Sequence, residues 1–143
     1  MKKLIRPAEE NDLAFIFSTM LKCIRHSSPI SWPIENQILF PAYQRIYEAL
    51  LGRTGVSCTV SCDADDQGHV FGYLIHEDPK IIHFIYVKRD LRHFGVATEL
   101  LQAQDLTWED DQCQITQFTK AIHQAMKQGR LKWKFNPFLL LTM

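Results

Sequence analysis

Between Val87 and Leu101 the chain reads VKRDLRHFGVATELL, a β-rich run giving way to a basic turn and then to helical spacing. The first backbone N–H groups of a helix have no intrahelical acceptor and lie at the positive end of its dipole. A helix beginning around Phe94 presents such groups to an anion, and a pyrophosphate suits them. Gly95 has no side chain to keep phosphate oxygens from the backbone, and Ala97 keeps the next turn thin. Lys88, Arg89, Arg92 and His93 add positive charge at the mouth. The chemistry implied is recognition of a phosphorylated ligand through main-chain donors.

Such a turn works only if neighbouring elements hold it. Residues 2–6 predict a first strand stopped by Pro7. Leu13, Ile16, Phe17, Met20, Leu21 and Ile24 form one stripe of an amphipathic helix, with Asn11 or Asp12 as cap and an end near residues 25–28. A second helical pattern runs from about Asn36 to Leu51, where Pro41 calls for a later start or a kink and Gly52 for a stop. Val56, Cys58 and Val60 alternate with polar residues as a half-buried strand does, residues 63–68 make a polar turn, and residues 70–75 return as a hairpin. The run IIHFIYV over residues 81–87 suits a central strand covered on both faces. Val96, Ala97, Leu100, Leu101 and Gln104 continue the helix after the basic turn. Residues 113–118 predict a strand, residues 120–127 a short helix ending at Gly129, and residues 131–135 with 138–141 a closing strand pair. The order is β-α-α-β-β-β-α-β-α-β-β, an α/β fold with a mixed sheet and helices on both faces. Its middle strand–helix–strand segment demands a parallel crossover. No repeat, linker or low-complexity stretch divides residues 1–143, so one domain is expected.

This segment and element order resemble the GNAT superfamily of acyl-CoA-dependent N-acyltransferases. Its phosphate loop has the form Q/R-x-x-G-x-G/A, and Arg92, Gly95 and Ala97 stand at the three defining positions. Tyr86-Val87 ends the strand before the loop, Leu100-Leu101 follows at the expected spacing, and Ala121 and Gly129 match small-residue positions of the last helix. The resemblance implies acetyl-CoA as co-substrate. Backbone amides of His93, Phe94, Gly95, Val96 and Ala97, with Thr98 as an addition, would hold its pyrophosphate beside Arg92. The backbone of Ile85 and Val87 would pair with the pantetheine arm like an added strand, and the Val87 amide would polarise the thioester carbonyl. A small-molecule or protein amine would attack that carbonyl directly in a ternary complex.

The resemblance also implies a proton-handling group, and here the residues leave alternatives open. His83 stands four residues before Val87, on the same face by strand parity, where arylalkylamine acetyltransferases of this superfamily have a histidine. It reads either as a base, directly or through water, or as a buried core histidine satisfied by a hydrogen bond. Ala125 occupies the position where the family often places a tyrosine general acid, and no tyrosine follows Tyr86. His123, two residues away, reads as a surface residue. The expected activity is therefore N-acetyl transfer, with a catalytically weakened or inactive CoA-binding regulatory module as the alternative. Arg25, His26, Trp32, Tyr43 and Tyr47, with Glu35 and Glu48 as attractants for a cation, are the candidates for acceptor recognition.

Composition narrows the remaining classes. With 46% apolar residues and 16 basic against 16 acidic side chains, the chain has no global field for nucleic acid or an anionic membrane. The basic stretch Lys120, Lys127, Arg130, Lys132, Lys134 reads as solvated helix and strand faces. No secretory signal or run of about 20 apolar residues is visible, so a cytoplasmic protein is expected. Cys23, Cys58, Cys62 and Cys113 lack metal-ligand spacing, which argues against zinc and for reduced thiols. The apolar segment 138–141 completes the sheet internally or pairs with a second copy as a homodimer.

Overall fold

The computed structural model describes residues 1–27 and 31–140. Six strands, β1 (Lys3–Pro7), β2 (Val56–Asp63), β3 (Asp66–Glu77), β4 (Ile81–Val87), β5 (Gln114–Ile115) and β6 (Lys134–Phe135), lie in one sheet in chain order. The first four form an antiparallel meander, and β4–β5 and β5–β6 are parallel. Four helices, α1 (Leu13–Ser27), α2 (Asn36–Leu51), α3 (Val96–Gln102) and α4 (Lys120–Lys127), supply the connections.

The sheet is buried on both faces, as the near-continuous apolar run of β4 demands. On one face Ile16, Met20 and Ile24 of α1 and Tyr47 and Leu50 of α2 pack on Val60, Tyr73, Ile75 and Phe84. On the other, Val96, Leu100, Leu101 and Ile122 of α3 and α4 pack on Leu74, Ile82 and Ile115. Burying one such side chain contributes about 1.5–3 kcal/mol, so these two layers carry most of the fold's stability. Arg6 at the end of β1 grips Asp12 with both guanidinium nitrogens, at 2.7 and 3.0 Å, and ties the first strand to the start of α1. That guanidinium holds the Asp12 carboxyl below its ordinary value.

The mixed α/β sheet with helices on both faces is as expected from the sequence, and four details differ. α2 starts before Pro41 and continues through it. β3 begins at Asp66, so the β2–β3 turn is tighter than residues 63–68. β5 is two residues long rather than spanning 113–118. The second closing strand is absent: Pro137–Leu140 is a 3-10 turn, and residue 141 lies outside the described residues. The reason is local. Asn136 donates its backbone N–H to Ile115 O and its side-chain oxygen accepts from Phe138 N, which turns the chain. Pro137 then has no N–H to continue a ladder. β6 consequently lies directly beside β5, and α4 makes a second parallel crossover. Among the described residues no helix is long and apolar enough to cross a membrane.

Candidate functional site: the end of β4 and its fork with β5

Two features of β4 shape the site. The parallel ladder to β5 covers Ile81↔Gln114 and Ile82↔Ile115, while β4 runs on beside β3 as far as Val87. The strands therefore form a fork with its foot near Ile82. Within the ladder to β3 there is also a bulge. From Phe84↔Ile75 to Ile82↔His76, β4 advances two residues and β3 one, so His83 is the inserted residue.

The bulge sets which peptide groups face the fork. Lys88 N–H donates to Phe71 O, and Gly72↔Val87 is the next pair. Bonded and non-bonded pairs alternate in an antiparallel ladder. The peptide groups of Val87 and Ile85 thus turn away from β3, toward the side β5 has left. Arg92 Nε donates to the Val87 carbonyl at 3.4 Å, leaving the Val87 N–H as a donor on that side.

Above the fork the turn is built from short-range bonds. A 3-10 turn spans Arg89–Leu91, and Phe94 N–H donates to Leu91 O. Gly95 has φ +77°, a left-handed conformation that disfavours any side chain, and α3 begins at Val96 rather than near Phe94. The first helical bond runs from Glu99 N to Gly95 O, so the N–H groups of Val96, Ala97 and Thr98 precede it and lack helical acceptors. Gly72 sets the height of this helix. A Cβ there would lie 2.4 Å from Tyr86 O and 3.2 Å from Val96, so its absence lets Val96 close on the strand end.

Arg92, His93, Phe94, Gly95 and Thr98 are exposed and Ala97 is half-buried, whereas Val96 is buried. Lys3, from the other end of the chain, donates to Phe94 O and pairs with Glu99 at 2.7 Å. Lys88 lies 5.4 Å from the Phe15 ring centroid. This set of main-chain donors, bare glycine and surrounding cations fits a pyrophosphate in its chemistry.

At the foot of the fork the arrangement is different. His83 is 0% exposed, with Nδ1 2.9 Å from Thr116 Oγ1 and Nε2 2.8 Å from Glu77 Oε1. Glu77 also accepts from Arg53, just past α2. Burial raises the Glu77 carboxyl, but hydrogen bonds from His83 and Arg53 outweigh it and hold the group below its ordinary value. Burial lowers the His83 imidazole, and Glu77 offsets this only in part. A neutral ring beside an ionised carboxylate carries its proton on Nε2 and accepts from Thr116 at Nδ1. Tyr47, fully buried, donates to Gln117 Oε1 at 3.0 Å and lies 3.5 Å from His83 O. Burial pushes its hydroxyl well above the ordinary value.

The same-face placement of His83 and Val87 does not hold. Ile82, Ile85 and Val87 belong to the layer under α3, Phe84 and Tyr86 to the layer under α1 and α2. His83 turns to Glu77, Thr116 and the α2 side, because counting by twos fails across an inserted residue.

The remaining candidates are dispersed. Ala125 packs against the α3–α4 core, and His123 is exposed beside Phe118 at 5.1 Å. Arg25, Trp32 and Glu35 share the wall of a cavity of about 580 Å³ at the start of α2. His26 is exposed, Tyr43 stacks on Tyr47 at 6.5 Å, and Glu48 bonds Gln44 at 2.7 Å. Lys3, Gly72, Glu77, Thr116 and Gln117 escaped the sequence reading. Only Glu77, an acid closing a long apolar run, left a local signal.

No protein-family model matches the chain, and no curated protein matches it. Solved structures do. A Pyrococcus furiosus protein assigned as an acetyl transferase superposes with TM-score 0.60 at 14% identity, over 94% of this chain and 80% of that one. A GCN5-related N-acetyltransferase from Rhodopseudomonas palustris gives 0.57 at 18% identity, over 90% and 81%. AAC(6')-Iy, solved with the bisubstrate analogue CoA-S-monomethyl-acetylneamine, gives 0.55 at 16% identity, over 91% and 90%. At these identities it is the architecture that is shared. The fold of this chain is the GNAT fold of the GCN5-related N-acetyltransferases.

Proposed function

We propose that the chain is an N-acetyltransferase that moves an acetyl group from acetyl-CoA to an amine. The observation that carries this reading is the turn from Arg92 to Thr98, held with its N–H groups exposed at the open end of the fork. In it, the amides of His93 and of Gly95 to Thr98 and the Arg92 side chain receive the pyrophosphate, the Phe94 N–H being already bonded to Leu91 O, and the peptide groups of Ile85 and Val87 take the pantetheine arm along β4. The Val87 N–H faces the thioester carbonyl and stabilises the oxyanion as it forms, a type of donor whose loss costs about 10²–10³ in rate. The neutral amine nitrogen attacks the carbonyl carbon, the C–S bond breaks with its electrons on sulfur, and the amine gives up its proton to water. Placing two reactants is the protein's main contribution.

His83, buried and bonded at both nitrogens, serves in this reading to hold Thr116 and Glu77 rather than to meet the acceptor. Ala125 offers the departing thiolate no proton, so water supplies it. Arg25, Trp32 and Glu35, which line an open groove at the start of α2, are in this reading the residues to meet an acceptor, Glu35 attracting a cationic amine. A second reading, a CoA-binding regulatory module of weakened activity, is favoured by that same packed Ala125.

Calorimetric titration with acetyl-CoA tests the first step. Wild type should bind and Gly95→Glu, which strains the turn and adds negative charge, should not. If wild type shows no heat at high ligand, the coenzyme reading is wrong. Thiol release with a panel of amines separates the two readings, since the weakened or inactive regulatory module binds with little or no release of CoA.

A further inference from the structure

A second cavity, of about 200 Å³, lies beside α3. Thr98, Leu101 and Gln102 of the helix and Leu106, Trp108 and Glu109 of the following segment wall it. Trp108 is held firmly. Its indole stacks on Trp133 with centroids 5.0 Å and planes 17° apart, and its Nε1 donates to Thr98 Oγ1 at 3.1 Å. Its carbonyl accepts from Lys132 N at 3.0 Å, and Trp133 in turn donates to Thr107 O at 2.9 Å. The wall is therefore an indole whose polar atoms are satisfied and whose position is set before any ligand arrives, which lowers the entropic cost of binding.

Size and chemistry narrow the occupant. A dry cavity of about 150 Å³ accepts benzene, so this one suits a bicyclic ring rather than a whole nucleotide. Gln102 offers an amide N–H beside an amide oxygen, the pairing that meets the edge of adenine. Glu109 is an acceptor for an exocyclic amine. Thr98, which bonds Trp108, is also the last residue of the turn assigned to the pyrophosphate, so base and phosphates would be neighbours. We propose that this cavity takes the adenine ring of coenzyme A, with Trp108 against the base and Gln102 at its edge. The proposal rests on the coenzyme reading above and adds what holds the nucleotide end.

The test compares coenzyme A with pantetheine 4′-phosphate, which keeps the arm and lacks the nucleoside, on wild type, Trp108→Ala and Trp108→Phe. Loss of a base–aromatic stack weakens binding by about tenfold or more. Trp108→Ala should show that loss for coenzyme A and none for pantetheine 4′-phosphate, while Trp108→Phe, with its flat ring, stays within about threefold of wild type. Equal loss for both ligands, or none for coenzyme A, overturns the assignment. If wild type binds both ligands equally well, the adenine site alone falls. If it binds neither, the coenzyme reading falls first. Should Trp108→Ala not fold, titration of wild type with adenosine 3′,5′-bisphosphate decides instead: quenching of tryptophan fluorescence supports the site and its absence overturns it.

Discussion

The turn above β4 and the cluster at its foot lie on one strand and are built on opposite principles. From Arg92 to Gly95 the chain is exposed, and the donors that follow have no helical acceptors. At His83 the side chain is fully buried, and both ring nitrogens are bonded within the protein. Donors kept open by a left-handed glycine can serve a ligand. Polar groups that satisfy one another in a low dielectric instead hold geometry, and they penalise heavily the loss of any member. The turn leaves donors open and the cluster closes them.

The largest stability effect should come from the cluster. His83→Ala removes the ring that Thr116 Oγ1 meets, leaves Glu77 with Arg53 alone and opens a cavity, and should lower unfolding free energy by about 2–4 kcal/mol in denaturant titration. A loss below about 1 kcal/mol would mean the cluster is not a structural unit.

Acidification probes the same groups more gently. The folded-state pKa values of His83, His76 and Glu77 are all depressed, the two histidines chiefly by burial. Each group therefore favours the folded state fully only above its unfolded pKa, and stability is lost as pH falls. Stability should begin to drop below about pH 6.5 through the histidines and fall further below about pH 4.5 through Glu77. His83→Gln should shrink the upper step and leave the share due to His76. A pH–stability curve unchanged by His83→Gln would contradict a buried, neutral imidazole.

Gly95→Ala should cost about 1 kcal/mol. A Cβ there meets only Glu99 Oε1 at 3.5 Å and Lys3 Nζ at 4.0 Å, so backbone strain rather than a clash sets the cost. Thermal melting should place this variant between wild type and His83→Ala. Lys3→Met should have the smallest effect, about 0.5 kcal/mol, because the Lys3–Glu99 pair borders solvent. If Lys3→Met destabilised the fold as much as His83→Ala, the contrast between an open turn and a closed cluster would not stand.

The turn was legible from sequence because its determinants are neighbours. Gly95, the flanking cations and the Val96–Leu101 helical spacing fall within a dozen residues, and only the helix start was misplaced, by the left-handed glycine. The cluster was not legible, since Glu77 ends β3, Thr116 follows β5, Arg53 follows α2 and His83 lies inside β4. His83 stands out in the sequence, but an inserted residue puts it on the opposite face from Val87. Tyr47, a candidate for acceptor recognition by sequence, is wholly buried against Gln117.

By itself the sequence determined the two faces of the sheet, the central position of residues 81–87 and the basic, glycine-bearing turn that follows them. Period-two and helical spacing, and a glycine between basic residues, act through forces that reach only a few positions along the chain. Tertiary structure alone decided where β5 stops pairing with β4, how Asn136-Pro137 replaced a closing strand, which face His83 occupies, and that Lys3 reaches Phe94. Those outcomes depend on register, bulges and contacts between residues far apart in the chain, and such contacts exist only once the sheet has assembled.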